Sequence, residues 1–223
     1  MIKLVIFDLD GVLYESKEFH FDALNSALEE IDKNYLISKE EHLNTYDGLS
    51  TKRKLELLTV NKGLDPKFYE KIWQKKQEIT NNLLSSIRKN EKLISYLSLL
   101  KNENIKIVCC SNSIRNTVKK VLENLGIADF FDAVYSNEDV TNPKPHPEMY
   151  WAPMIKFSIK PNETVIIEDS PVGRLGAKMS GCNTIFINNP VDVDKKLIDK
   201  ILNMDSKSID SNLNTYIDKE LNV

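Results

Sequence analysis

The stretch Ile2-Lys3-Leu4-Val5-Ile6-Phe7-Asp8-Leu9-Asp10-Gly11-Val12 decides how the rest of the chain is read. Its apolar run has the composition of a buried parallel strand. Side chains two apart on a strand face the same way, so Asp8 and Asp10 should emerge together at the strand's carboxyl end. That edge is where open α/β sheets hold their ligands. Two carboxylates so close repel unless a cation lies between them or one stays protonated, and Gly11 permits the tight turn such a site needs. Asp and Gly are also ordinary turn residues, so by itself the stretch fits an acidic turn as well as it fits a site.

The 223 residues suffice for one α/β domain with a smaller inserted one, and 41% hydrophobic with 28% charged residues is ordinary for a soluble globular chain. A net charge of -3, with both signs interspersed, gives no electrostatic footprint for nucleic acid or an anionic membrane. No apolar stretch is long enough to span a bilayer, and the amino terminus enters a strand directly; we expect a cytoplasmic monomer. Cys109, Cys110 and Cys182 lack metal-ligand or redox spacing and read as small hydrophobes.

Strand-like runs recur at 3–8, 105–111, 133–136, 164–169 and 183–188, with helical stretches between them. This alternation predicts a Rossmann-like three-layer α/β core, a parallel sheet with helices on both faces. The interval after the first strand is far longer than a crossover requires. Residues 16–85 carry apolar positions three or four apart, as in Leu24-Ala27-Leu28-Ile31 and Leu55-Leu58, and read as an inserted α-helical cap domain. The core is then residues 1–15 and 86–223, with the cap over Asp8 and Asp10. Beyond Ile187 we expect a short strand and a helix at the sheet's margin.

Other strand ends add candidates. Ser111-Asn112-Ser113 follows an apolar run and is expected to open a helix, where a hydroxyl and backbone N–H groups suit an anion, although the same residues make a plain cap. Lys144 lies among prolines in Asn142-Pro143-Lys144-Pro145-His146-Pro147, which fix its backbone. A solvated lysine is the ordinary alternative. His42 and His146 read as surface residues. Glu168-Asp169 closes a strongly apolar strand and would gather more negative charge at the same edge, which calls for a hard cation with oxygen ligands, Mg²⁺ above all.

Asp8-Leu9-Asp10-Gly11-Val12, Ser111-Asn112-Ser113, Lys144-Pro145 and Glu168-Asp169-Ser170-Pro171-Val172-Gly173 together resemble, in order, the four signature motifs of the haloacid dehalogenase-like superfamily. The resemblance is strongest to the branch that contains β-phosphoglucomutase and phosphoglycolate phosphatase, whose cap is a helical bundle. Tyr14-Glu15-Ser16 with His20 is similar to the mutase's entry into its cap, and Asp47-Gly48-Leu49-Ser50 to its cap loop. The mutase pattern has a lysine before that glycine and an arginine after the serine; here stand Asp47 and Thr51, with Lys52 and Arg53 displaced beyond them.

The resemblance implies phosphoryl transfer through a covalent aspartyl phosphate, with Asp8 as nucleophile and Asp10 as acid and base. It implies Mg²⁺ held by Asp8, the Asp10 backbone carbonyl and Asp169, with Glu168 direct or through water. Ser111 and Lys144 would hold phosphoryl oxygens, while Gly11, His20, Gly48, Lys52, Arg53 and Asn112 would contact the substrate. Asp10 argues against a dehalogenase and Thr51 against a phosphonate hydrolase. The expectation is therefore an Mg²⁺-dependent phosphatase of a small phosphorylated metabolite, most simply a sugar phosphate. A phosphosugar mutase is the alternative, and a non-catalytic binding protein comes third.

Overall fold

The computed structural model describes residues 1–205. Five strands, β1 (Leu4–Phe7), β2 (Lys106–Cys110), β3 (Ala133–Tyr135), β4 (Thr164–Glu168) and β5 (Asn183–Phe186), pair in parallel in the order β3-β2-β1-β4-β5. Each lies inside a run expected to form a strand. Phe7 stands beside Cys109 on one side and Ile167 on the other. The residues that follow the three central strands therefore leave the sheet at one level, and this register sets the site.

Nine α-helices accompany the sheet among the described residues: α1 (Lys17–Glu29), α2 (Lys39–Glu41), α3 (Thr51–Lys62), α4 (Tyr69–Leu84), α5 (Glu91–Asn102), α6 (Arg115–Asn124), α7 (Glu148–Phe157), α8 (Pro171–Ser180) and α9 (Lys195–Leu202). The period-2 alternation of the central strand feeds two apolar layers. Val5 and Phe7 pack with Leu97 of α5, Val118 of α6 and Ile198 of α9, while Leu4 and Ile6 face Tyr150 and Met154 of α7 and Ala177 of α8. All four β1 residues are fully buried. Both faces being covered is why the strand reads as a continuous apolar run.

The segment between β1 and β2 builds a third apolar cluster from Leu24, Ala27 and Leu28 of α1, Leu55 and Leu58 of α3, Ile72 of α4, and Ile37, Tyr46 and Leu64. None of these belongs to either sheet layer. The spacing of three and four residues is what brings them onto common helix faces. Ser50 caps α3 by accepting from the Arg53 N–H, and Gly63 ends it at a φ of 70°.

Three expectations are corrected. A 3₁₀ turn, Pro190–Asp192, stands where a further strand was expected; α9 follows it, and no strand lies beyond β5 among the described residues. Ser111-Asn112-Ser113 does not open a helix: α6 starts at Arg115, because Ser111 N–H donates to the Tyr135 carbonyl and Asn112 is engaged by other loops. His42 is 2% exposed, not a surface residue; it lies in a π-helical turn, His42–Tyr46, packed edge-on against Phe21. Neither ring nitrogen has a hydrogen-bond partner among the described residues.

Burial, reinforced by the charges of Lys54, His20, Lys17 and Lys76, pulls the His42 imidazole down to about 3. In the unfolded chain the ring takes its proton near 6.5. The unfolded state thus binds that proton first, so the stability His42 supports is intact above about pH 6.5 and is lost as pH falls toward about 3. His42→Phe removes that loss. Its urea midpoint should gain on the parent's as pH is lowered from about 7.5 to about 5, and an unchanged gap would refute the assignment.

Candidate active site

At the carboxyl edge of β1 and β4, the Lys144 ammonium donates to Asp8 Oδ1 at 2.6 Å, Glu168 Oε1 at 2.5 Å and the Cys110 carbonyl at 2.7 Å. Lys144 is 4% exposed, so it is no surface lysine. A buried cation is tolerable only when paired and hydrogen-bonded, and here all three of its N–H bonds are satisfied. Tyr150 donates a further hydrogen bond to Glu168 Oε1 at 2.5 Å. Burial and the neighbouring Glu168 charge push the Asp8 carboxyl well up, with Lys144 pulling the other way. Burial alone would lower Lys144, but Asp8 and Glu168 outweigh it and hold it cationic.

Asp10 has a different environment. Its Oδ1 accepts from Tyr14 Oη at 2.7 Å and from His20 Nε2 at 2.7 Å; Oδ2 accepts from Ser113 Oγ at 2.8 Å and Ser111 Oγ at 3.3 Å. Burial alone would raise this carboxyl, but His20, Tyr14 and Ser113 together hold it far below the usual range, as a carboxylate. The turn that delivers it needs Gly11 at a φ of 82°, where a Cβ would lie 2.0 Å from Asp169 Oδ2. Gly11 thus sets the backbone beside Asp169.

Asp8, Glu168 and Asp169, all buried, bring carboxylate oxygens within 4.8 Å of one another. Asp169 Oδ2 lies 3.0 Å from Lys17 Nζ, whereas its buried Oδ1 has no hydrogen-bond partner among the described residues. Burial and Glu168 raise the Asp169 carboxyl despite Lys17. An oxygen-only donor set with an unsatisfied buried carboxylate oxygen fits a hard divalent cation such as Mg²⁺. Glu168 is the most constrained of the three: Lys144 and Tyr150 take Oε1, and a Cβ at Gly173 would lie 2.1 Å from Oε2. The Asp10 carboxylate is held by its own donors outside this trio.

The α1–α4 segment closes the other side. Gly48, at a φ of 72°, seats against Ser170, where a Cβ would come within 2.6 Å of the hydroxyl oxygen. Its carbonyl accepts from Asn112 Nδ2 at 2.8 Å. The same Asn112 grips the Lys144 backbone through both carbonyl and N–H, each at 3.0 Å. A cavity of about 100 Å³ lies between the two halves, with Asp8, Asp10 and Lys144 on its floor. Lys52 lines it; Arg53 instead turns to Glu56 at 2.9 Å and is not brought in. Sequence reasoning missed Lys17, Tyr150 and, on the cavity wall, Lys54 and Lys76. The last two occupy the buried stripes of their helices, the signal that would have found them: Lys54 with Leu55 and Leu58, Lys76 with Ile72, Thr80 and Leu84.

The sequence matches the haloacid dehalogenase-like hydrolase family over residues 5–187, and the chain belongs to that family. It is 31% identical over 187 residues to the β-phosphoglucomutase of Bacillus subtilis, covering 81% of this chain and 80% of that protein. It is 26% identical over 189 residues to a phosphorylated carbohydrates phosphatase of Thermotoga maritima, covering 83% and 84%. The crystal structure of β-phosphoglucomutase from Clostridium difficile superposes with a TM-score of 0.74 at 24% identity, covering 91% of this chain and 98% of that one, a likeness of fold. The chain is therefore a hydrolase-family enzyme, and no described helix is long and apolar enough to cross a membrane.

Removing the Lys144 charge should expose what it offsets. In Lys144→Met the folded-state carboxyl of Asp8, already raised, rises further, so its contribution to stability is present at low pH and lost as pH climbs past the unfolded value of about 3.8 toward the folded one. We expect a loss of about 3–5 kcal/mol in denaturant unfolding near neutral pH, shrinking toward acid. A loss that does not vary with pH would show that the lysine acts by packing alone.

Proposed function

We propose that the protein is an Mg²⁺-dependent phosphatase of a small phosphorylated metabolite, working through a phosphoryl group carried on Asp8. The single observation that carries this reading is the separation of two carboxylates at one mouth: Asp8 beside Lys144 and the acidic trio, Asp10 in a cluster of donors. The β-phosphoglucomutase and carbohydrate phosphatase relatives support the substrate class.

An Asp8 oxygen attacks phosphorus as the bond to the leaving oxygen breaks, and Asp10 gives that oxygen its proton. Water then attacks the phosphoryl group while Asp10 takes a proton from it, which releases phosphate and restores Asp8. Asp10, held as an ionised carboxylate among donors, has the form needed for this second half. Donating in the first half requires it to carry a proton, which weakens its hold on Tyr14 and His20. Lys144, by exchanging its contact with Asp8, and Ser111, by exchanging its contact with Asp10, would bind phosphoryl oxygens. Asp8 and Asp169, with Glu168, would hold Mg²⁺, which would supply positive charge to offset repulsion between nucleophile and phosphate dianion. Residues 16–85 act as the cap that shields these steps from bulk water.

A mutase reading is favoured by the contact of His20 with Asp10 and by the Bacillus subtilis relative. It is weakened at Asp47 and Thr51, where the mutase pattern carries its two cations. Accumulation of free phosphate decides for the phosphatase; an isomeric sugar phosphate without it decides for the mutase.

The test is phosphate release from a panel of phosphorylated metabolites, with and without chelator. Asp8→Asn should lose more than roughly a thousandfold, the scale of removing a principal transition-state group, and chelator should abolish turnover. Substantial activity in Asp8→Asn would unseat the nucleophile. Asp10→Asn should slow alkyl phosphates by ~10²–10⁴-fold and an activated aryl phosphate by much less, because the aryl leaving group needs no proton. Equal losses would remove Asp10 from the acid role.

A further inference from the structure

Each carboxylate of the acidic trio has one oxygen held by a protein cation. Lys144 takes Oδ1 of Asp8 and Oε1 of Glu168, and Lys17 takes Oδ2 of Asp169 at 3.0 Å. One oxygen per group remains toward a metal. Lys17 stands where a lysine is not favoured, as the first residue of α1, because a helix amino terminus repels a cation. What answers its charge lies outside its own helix: Asp169 on the sheet side and Asp47 Oδ2 at 3.8 Å on the loop side. The other Asp47 oxygen accepts from the Gly48 N–H, which fixes that carboxylate on the loop. Asp169 Oδ2 is closed in further by Gly11, where a Cβ would lie 2.0 Å away. Oδ1, also buried, has no hydrogen-bond partner among the described residues.

We propose that Lys17 determines which metal the site prefers: by occupying Oδ2 it confines Asp169 to one donor oxygen, and so favours Mg²⁺ over Ca²⁺. The inference rests on the phosphatase reading only for the placement of the ion at Asp8 and Asp169. Lys17 touches a metal ligand and not the ion, so it is a positioning residue, and neither it nor Asp47 belongs to the four strand-end motifs.

Mg²⁺ demands near-octahedral coordination at about 2.0–2.1 Å, which suits carboxylates that give one oxygen each. Ca²⁺ takes about 6–8 oxygens at about 2.3–2.6 Å and readily uses both oxygens of one carboxylate. A trio confined to one oxygen per group cannot fill that larger shell from its own side chains. Releasing Oδ2 from Lys17 removes this handicap for Ca²⁺ and gives Mg²⁺ no comparable gain. Loss of the lysine charge favours both divalent ions alike, so the ratio of the two affinities reports the coordination.

Mg²⁺ and Ca²⁺ are titrated separately into the full chain by calorimetry, for the parent, Lys17→Met, Lys17→Arg and Asp169→Asn, with Lys17→Ala as the alternate should the methionine variant fold poorly. In Lys17→Met the Ca²⁺ affinity should gain on the Mg²⁺ affinity by about tenfold, the low end of what partners behind a metal ligand contribute. Lys17→Arg keeps a cationic donor at Oδ2 and should hold the parental ratio. Asp169→Asn should lose most of the binding of both ions. A ratio that stays parental in Lys17→Met, or that moves as far in Lys17→Arg, would overturn the role of Lys17 and leave the Mg²⁺ site standing. Undiminished binding of both ions to Asp169→Asn would remove the metal from the trio and overturn the role of Lys17 with it. Neither measurement depends on turnover, so a failure to release phosphate from any metabolite would count against the phosphatase reading alone.

Discussion

The contact of Lys144 with Asp8 and Glu168 is the constraint on which the rest depends. Parallel strands in this register deliver Asp8, Glu168 and Asp169 to one edge within 4.8 Å of one another. Unit charges about 4 Å apart repel by about 4 kcal/mol at the effective dielectric of a protein surface, a large share of the ~5–15 kcal/mol that holds a domain together. Lys144 answers two of these carboxylates and Lys17 the third. Asn112 then fixes the backbone on which Lys144 stands. The apolar layers on both sides of the sheet keep the strands in register, and so keep the charges where these lysines meet them.

The same edge gives two aspartates opposite characters from a two-residue offset. Asp8 is buried among further negative charge with one cation beside it, and its carboxyl is pushed well up. Asp10, one turn further, is enclosed by hydroxyls and an imidazole. Strand alternation points both the same way, but the Gly11 turn lets Tyr14 fold back onto Asp10 and supply the first of those donors. Two identical side chains thus titrate in opposite directions because of environment alone.

Much of the core was legible because its signals are local. Apolar runs that end in Asp, Ser or Glu-Asp mark the strand ends, and the over-long first connection marks the inserted helices. Lys54 and Lys76 were not legible by charge, because a lysine on an amphipathic helix is ordinarily solvated. Phase carries the information instead: each falls on the apolar stripe of its helix, four residues from Leu58 or Ile72. Arg53 was misplaced for the complementary reason, being near Gly48 along the chain but rotated off that stripe. His42 shows the limit of residue type as a guide, since the π-helical turn that buries it leaves no periodic pattern to follow. Lys17 and Tyr150 touch the acidic trio from elements remote in sequence, and only the fold brings them there.

Asn112 joins three things through one amide: the Gly48 carbonyl on the helical side, and the carbonyl and N–H of Lys144 on the sheet side. Lifting the Gly48 loop costs only the first of these, a net contribution of about 0.5–1.5 kcal/mol, while the two that orient Lys144 persist. The lysine is therefore poised whether the loop is up or down. A fastening of that strength biases the loop by only about two- to tenfold. A molecule bound beneath it can tip the balance on arrival, and its departure is not barred by the latch itself.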